Sequence, residues 1–137
     1  MNRVLLVEDN PDDLELARLA FARGRFGTAV DVARDGAEAL DYLFAPGQEP
    51  PQVVLLDIKL PLVDGIDVLR RVKSDPRTRH IPVVMLTSSA QDRDLHACYE
   101  LGANSYIVKP VDMEHFMAAV NKIGAYWLGL NLTDQSS

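Results

Sequence analysis

Several features that are common in secreted and membrane proteins are scarce in this sequence of 137 residues. Cys98 is the only cysteine, so a disulfide within the chain is excluded and the cytoplasm is the expected compartment. No apolar run approaches the roughly 18 residues that are needed to cross a bilayer. The short apolar stretch near the N-terminus has no signal-peptide cleavage pattern. We therefore expect no association with a membrane.

An excess of positive charge is also absent. The chain has 14 Lys and Arg against 20 Asp and Glu, which gives a formal net charge of −6 and a pI near 4.9. Affinity for nucleic acid depends on contacts of Lys and Arg with phosphates, so direct binding of DNA or RNA is not expected. A local basic cluster is interleaved with acidic residues, and we interpret it as a solvent-exposed face. It consists of Arg70, Arg71, Lys73, Arg77 and Arg79.

Short apolar runs alternate with helical patterns about five times along the chain, which predicts an α/β fold. Such an alternation is typical of a parallel sheet that is covered by helices on both faces. The strands are predicted near residues 4–7, 28–32, 53–56, 81–86 and 106–108, and the helices after Asn10, Asp35, Asp64, Ser89 and Asp112.

The length and composition indicate one domain. Hydrophobic residues make up 47% of the chain and charged residues 25%, as is usual for a soluble globular protein. A chain of this length can bury one core but not two. The prolines and glycine of residues 45–51 predict a loop there. We predict a single domain over residues 1–128 and a C-terminal tail over residues 129–137.

Polar side chains follow four of the predicted strands. Glu8 and Asp9 follow the first, Asp57 the third, Thr87 the fourth and Lys109 the fifth. Ligands of such folds bind at the carboxyl ends of the strands, where the strand order reverses. These five side chains are therefore expected to lie together.

Three carboxylates that share one small site repel one another, and a folded protein relieves this by protonating one group, pairing it or binding a divalent cation. Two unit charges about 4 Å apart repel by roughly 4 kcal/mol at an effective dielectric constant of 20. Oxygen ligands with open positions for water suit Mg²⁺, and this ion also neutralises a phosphoryl group that a carboxylate attacks. The pattern therefore predicts Mg²⁺ as the cofactor.

Each of these residues has an ordinary alternative when it is taken alone. Glu8 or Asp9 is also suited to capping the first helix, and Asp57 to a turn. Thr87 is suited to a turn or cap beside two serines, and Lys109 to a solvated surface. The combination at the ends of the appropriate strands favours a shared site.

Four motifs resemble the receiver domains of two-component response regulators. They lie at residues 4–10, at 54–61 with Asp64-Gly65, at 83–87 and at 106–110, and the resemblance extends from about Val4 to Ile123. The resemblance implies a flavodoxin-like, doubly wound sheet of five parallel strands in the order 2-1-3-4-5, with five helices.

The resemblance also implies a role for each acidic residue. Asp57 would accept a phosphoryl group from the phosphohistidine of a histidine kinase. Asp9 would bind Mg²⁺ directly, Glu8 would bind it through water, and the Lys59 carbonyl would supply a backbone ligand. Such a protein is not an enzyme in the ordinary sense, but a phosphoacceptor that promotes its own phosphorylation and dephosphorylation.

A switch is implied in the same way. Thr87 and Lys109 would hold the phosphoryl oxygens, and Tyr106 occupies the family's aromatic switch position. Movement of Thr87 toward the phosphoryl group would let Tyr106 turn inward. The surface of the fourth helix, fifth strand and fifth helix would then change.

A narrower resemblance concerns small receivers that pair with bacterial phytochrome-type histidine kinases. It involves residues 75–82, 105–112 and 126–130. Trp127 and its apolar neighbours would need to be covered, which favours a homodimer through the C-terminal face.

Two other functions were considered. A phosphatase of the haloacid dehalogenase type also forms an aspartyl phosphate, but its Asp-x-Asp pattern is replaced here by Asp57-Ile58-Lys59. A receiver-like scaffold that never accepts a phosphoryl group would have little reason to retain Asp57, Thr87 and Lys109. A receiver that is phosphorylated is therefore the principal hypothesis.

Overall fold

A computed structural model describes residues 3–24 and 29–122 of the chain. Strands and helices alternate throughout, as predicted. The strands are β1 (Arg3–Val7), β2 (Ala29–Ala33), β3 (Val53–Asp57), β4 (Val83–Thr87) and β5 (Ser105–Val108). The helices are α1 (Pro11–Gly24), α2 (Gly36–Phe44), α3 (Gly65–Ser74), α4 (Asp94–Glu100) and α5 (Met113–Lys122).

The five strands form one parallel sheet in the order β2-β1-β3-β4-β5. This confirms the predicted fold class and strand order. Val7 lies opposite Leu56, so the residues that follow, Glu8 and Asp57, reach the same edge of the sheet. The reversal of strand order between β1 and β3 creates the binding position that is usual for doubly wound sheets.

Alternate side chains of the central strands pack into two separate cores. Leu5, Leu56 and Met85 face α2, α3 and α4, whereas Leu6 and Leu55 face α1 and α5. Every residue of β3 and β4 is buried, which explains their continuous apolar sequences. Four of the five residues of β2, at one edge of the sheet, are only half-buried, as its alternating pattern predicted.

Three of the predicted helix caps are confirmed. Asn10 Oδ1 accepts hydrogen bonds from the backbone N–H groups of Asp12 and Asp13 at 2.9 and 3.0 Å. Asp35 Oδ1 accepts from Glu38 N at 2.7 Å, and Asp112 Oδ1 from His115 N at 2.8 Å. These contacts satisfy N–H groups that have no partner within the helix.

The prediction that Ser89 caps the fourth helix is wrong, because α4 begins five residues later, at Asp94. Ser89 Oγ instead accepts a hydrogen bond from Gln91 N at 3.1 Å, and Asp92 Oδ1 accepts one from Asp94 N at 2.9 Å. Short polar side chains that bond to the backbone two residues ahead form turns and compete with helix. The helix ends at Glu100, and Gly102, which follows it, has a positive φ of 107°.

The basic cluster of α3 and the loop after it is mostly exposed, as predicted, but Lys73 differs. Its ammonium donates hydrogen bonds to the carbonyl oxygens of Ile81 at 2.7 Å and Arg79 at 3.1 Å, and its side chain is half-buried. Arg71 and Arg77 both lie over the ring of Phe44. Part of this cluster therefore stabilises the fold.

Trp127 and residues 129–137, on which the predicted dimer interface and tail depend, lie outside the described residues. Within residues 3–24 and 29–122, no helix has both the length and the apolar composition required to span a membrane.

We expect Cys98 to resist alkylation in the folded protein. Burial raises the pKa of its thiol to about 11, and the carboxylates of Asp94, Asp92 and Asp64 contribute to this. Its side chain is fully inaccessible to solvent. At about pH 8, reaction with iodoacetamide should be at least about a hundredfold slower than in urea, because the thiolate is the nucleophile. Equal rates under the two conditions, measured by intact mass, would contradict the burial of Cys98.

Candidate functional site

The carboxylates of Glu8, Asp9 and Asp57 meet at the carboxyl edge of β1 and β3. One oxygen from each lies within 4.8 Å of the others. Glu8 and Asp57 are buried, whereas Asp9 is exposed. The predicted gathering of these three acids is thus present in the structure. The arrangement leaves one exposed ligand position on a mostly buried acidic cluster.

Lys109 connects this cluster to the end of β5. Its Nζ lies 2.8 Å from Asp57 Oδ2, 3.2 Å from Glu8 Oε1 and 3.2 Å from Asp13 Oδ2. Burial acts to lower the pKa of Lys109, but the hydrogen bonds and charges of Asp57 and Glu8 outweigh it and raise the pKa well above its usual value. Lys109 therefore remains a cation at the centre of the site.

Asp57 is held by one partner on each oxygen. Its Oδ2 accepts from Lys109, and its Oδ1 accepts a hydrogen bond from the backbone N–H of Lys59 at 3.1 Å. Only 3% of the residue is exposed. These contacts fix the orientation of the carboxylate at the end of β3.

The pKa of Glu8 reflects its burial and the crowding of acidic groups in the site. Burial raises the pKa of its carboxyl to about 7, and the neighbouring Asp57 contributes to the rise. The N–H of Asn10, 3.1 Å from Glu8 Oε2, and the charge of Lys109 oppose it. The site therefore has more carboxylates than Lys109 alone neutralises.

The chemistry of these donors suits a hard divalent cation. All three are carboxylate oxygens, and the exposure of Asp9 leaves room for water ligands. Mg²⁺ prefers this combination of one or two carboxylates with water and phosphate oxygens. The residues present therefore fit the predicted cofactor.

Thr87 is located at the end of β4, as predicted, but its hydroxyl bonds within the loop that follows. Its Oγ1 lies 3.1 Å from the Ser89 carbonyl oxygen and 3.2 Å from Asp92 Oδ2, and it accepts a hydrogen bond from Ser89 N at 3.3 Å. Thr87 is thus in a turn beside the two serines, which is the alternative role that the sequence offered for it. Its hydroxyl is directed toward the loop.

The backbone N–H of Lys59 contacts the Asp57 carboxylate, whereas the Lys59 side chain contacts α4. The Nζ atom lies 3.2 Å from Asp94 Oδ2 at the start of α4, and the side chain is 75% exposed. The hydrogen bond that the Lys59 ammonium donates to the Asp94 carboxylate raises the pKa of Lys59. The ammonium of Lys59 therefore links the loop after β3 to α4.

Tyr106 is half-buried on β5, opposite Met85 of β4. Its ring meets the ring of Tyr99 on α4 edge to face, with centroids 6.4 Å apart and an interplanar angle of 85°. The aromatic pair connects β5 with α4. Tyr106 therefore contacts α4 from β5, and its role in a switch stays a prediction.

Sequence reasoning missed Asp13 and Asp92 as neighbours of the site. Asp13 lies in the acidic first turn of α1, and its carboxylate contacts Lys109. A signal was present, because Asp13 lies four residues before the buried Ala17 and so on the helix face that packs on the sheet. Asp92 gave no comparable signal, since it lies in an irregular loop.

Comparison with known proteins shows consistent similarities. The family model of the response regulator receiver domain matches residues 4–121. The chain is 45% identical, over 93% of its length and 84% of the relative's, to the probable methanogenesis regulatory protein FilR2 of Methanothrix harundinacea.

Two solved structures extend this similarity to the fold. The bacteriophytochrome response regulator AtBRR is 50% identical, with a TM-score of 0.83 over 90% of this chain and 93% of the other. The Mn²⁺-bound form of the response regulator Rcp1, a protein of Synechocystis, is 33% identical, with a TM-score of 0.76 over 93% of this chain and 95% of the other.

Proposed function

The chain belongs to the response regulator receiver domain family, and we therefore propose that Asp57 accepts a phosphoryl group from the phosphohistidine of a histidine kinase. The observation that carries the proposal is the position of the Asp57 carboxylate. It lies beside two further carboxylates and is bound by Lys109 at 2.8 Å. A phosphatase of the haloacid dehalogenase type is disfavoured, because Lys59 stands where that class has its second acid.

In this proposal, the acidic residues also hold Mg²⁺. Asp9, Asp57 and the Lys59 carbonyl would hold the ion directly, and Glu8 would hold it through water. The ion, when bound, neutralises charge on the phosphoryl oxygens. The existence of a Mn²⁺-bound form of the similar Rcp1 supports the binding of a divalent cation.

The transfer itself needs a nucleophile that is oriented and unprotonated. An oxygen of Asp57 forms a bond to phosphorus as the bond from phosphorus to the kinase's histidine nitrogen breaks, and the imidazole leaves with that electron pair. Lys109 turns from the carboxylate to a phosphoryl oxygen, which keeps a positive charge beside the added negative charge. The receiver thus promotes its own phosphorylation by orienting Asp57 and by stabilising negative charge. We propose that the same groups promote hydrolysis of the aspartyl phosphate by water.

The signal then passes through Thr87 and Tyr106. Thr87 leaves its loop partners to donate a hydrogen bond to a phosphoryl oxygen, and Tyr106 turns into the space that opens. The face formed by α4, β5 and α5 changes as a result. Such a change is a packing switch between two arrangements that phosphoryl contacts bias.

The similarity to AtBRR supports a phytochrome-type histidine kinase as the partner. We further propose a homodimer through the C-terminal face and a location in the cytoplasm, with no direct contact with nucleic acid. The formal charge of −6 supports the last point.

Intact mass spectrometry with acetyl phosphate tests the proposal. We expect the mass of one phosphoryl group to be added in the presence of Mg²⁺ and none to be added with EDTA. If acetyl phosphate gives no product, the same measurement with phosphoramidate and then with a purified phytochrome-type histidine kinase follows. Failure with all three donors in the presence of Mg²⁺ would overturn the proposed function.

A second prediction concerns Lys109→Met, which keeps most of the apolar stem and removes the charge. Asp57 should still be phosphorylated, about tenfold to a hundredfold more slowly, because other groups still stabilise the transition state. The phosphorylation-dependent change of the Tyr106 ring resonances in NMR spectra should be largely lost. Arg70→Met, which removes an exposed cation from α3, is the matched control. An undiminished Tyr106 response in Lys109→Met would contradict the role of Lys109.

A further inference from the structure

The loop between β4 and α4, residues 88–93, offers two acceptors to the Thr87 hydroxyl. They are the Ser89 carbonyl oxygen at 3.1 Å and Asp92 Oδ2 at 3.2 Å. A hydroxyl has one proton and donates it to one acceptor at a time. Hydrogen bonds to a charged acceptor are stronger than those to a neutral one. Thr87 is only 2% exposed, so water competes little with Asp92.

The other oxygen of Asp92 is occupied at the same time. Its Oδ1 accepts a hydrogen bond from Asp94 N at 2.9 Å, at the first residue of α4. The Asp92 backbone N–H also donates to the Ser89 carbonyl at 3.1 Å, which holds the loop in its turn. One carboxylate therefore joins the Thr87 hydroxyl to the beginning of α4.

We propose that Asp92 is a positioning residue that competes with the phosphoryl group on Asp57 for the Thr87 hydroxyl. This rests on the proposed function of Asp57. In the unphosphorylated protein, Asp92 keeps Thr87 turned toward the loop. Phosphorylation of Asp57, at the end of the neighbouring strand β3, adds a second anionic acceptor, and the single hydroxyl proton is exchanged from one to the other.

The competition has a measurable consequence. If only a fraction of the free protein has Thr87 released, the apparent affinity for a phosphoryl group is reduced by that fraction. Loss of the Asp92 carboxylate should increase the released fraction and tighten binding. Since Asp92 also accepts a hydrogen bond from Asp94 N, release of Thr87 changes the contacts of a residue that is bonded to the first residue of α4. The exchange therefore connects Thr87 to α4, which is part of the face formed by α4, β5 and α5.

Asp92→Asn separates the two functions of the carboxylate. The Asp94 N–H needs an acceptor, so the amide oxygen should take the place of Oδ1 and leave the amide NH₂ facing Thr87. The hydrogen bond to Asp94 N is then retained and the charged acceptor of Thr87 is lost. Asp94→Asn is the matched control, because it removes one negative charge from the same segment without removing an acceptor of Thr87.

Two measurements on the full chain test the proposal. The rotamer of Thr87 is obtained from three-bond ¹³C–¹⁵N and ¹³C–¹³C couplings of its methyl group in the protein without a phosphoryl group. The affinity for beryllium fluoride, a phosphoryl analogue, is measured with saturating Mg²⁺. In Asp92→Asn we expect averaged Thr87 couplings and binding about tenfold tighter than in the wild type. In Asp94→Asn we expect wild-type couplings and a change of less than about twofold.

Either of two results would overturn the proposal. The first is an unchanged Thr87 rotamer and an unchanged affinity for beryllium fluoride in Asp92→Asn. The second is an equal gain of affinity in Asp94→Asn, because that result would show that the negative charge of the loop causes the effect. Failure of the wild type to bind beryllium fluoride, together with failure of all phosphodonors, would instead contradict the proposed function of Asp57. The rotamer measurement needs no phosphoryl group, so it distinguishes the two failures.

Discussion

Replacement of Asp57 with asparagine is expected to abolish phosphorylation while the protein stays folded. The carboxylate oxygen is the proposed nucleophile, and a neutral amide cannot take its place, so the labelling rate should fall at least about a thousandfold. Lys109 would still contact Glu8 and Asp13, which leaves no unpaired buried charge. We therefore expect the free energy of unfolding to change by less than about 2 kcal/mol.

Intact mass after incubation with acetyl phosphate and Mg²⁺ measures the first effect, and urea denaturation the second. Asp41→Asn, at an exposed position of α2, should be labelled like the wild type. Peptide mapping adds a second check, because the wild-type product should carry its phosphoryl group on Asp57. Labelling of the Asp57→Asn protein at another residue would contradict the assignment.

Gly65→Ala should strongly destabilise the protein. A Cβ at this position would overlap the carbonyl oxygen of Asp57 and lie 2.7 Å from that of Ile58. Both are backbone atoms, and Gly65 N donates a 3.0 Å hydrogen bond to the Ile58 carbonyl, so neither partner moves without loss. We expect the free energy of unfolding to fall by at least about 3 kcal/mol, and Tm by about 10 °C.

The same change should reduce phosphorylation, because the displaced backbone carries Asp57. A displacement of about 1 Å costs on the order of a hundredfold in rate. Gly47→Ala is the control. Gly47 has a positive φ of 75° but no atom within 4 Å of an added Cβ, so a loss of about 1 kcal/mol and normal phosphorylation are expected. Equal stability of the two variants would show that the backbone around Gly65 moves to accommodate an added Cβ atom.

Most of the fold and the acidic cluster could be predicted from the sequence because the signals are local. The continuous apolar residues of β3 and β4 identify strands buried on both faces, and Asn10, Asp35 and Asp112 identify helix starts through bonds that span two or three residues. The rule for the carboxyl ends of parallel strands then brings together the residues that follow them.

The start of α4 and the surroundings of Lys73 could not be predicted in this way. Ser89 has the residue type of a helix cap, but the choice between a cap and a turn depends on which backbone N–H groups the loop presents to it. Lys73 belongs to a charged stretch, and its burial depends on carbonyl oxygens that lie beyond the end of its own helix.

The sequence by itself determined the order of strands and helices and the five polar residues at the sheet edge, because periodicity, caps and strand ends are encoded by residues close together in the chain. The tertiary structure alone decided that Lys109 contacts Asp13, and that Thr87 is turned toward Asp92. The direction of each side chain depends on which acceptors packing brings within about 3 Å of it, and no local pattern specifies that choice.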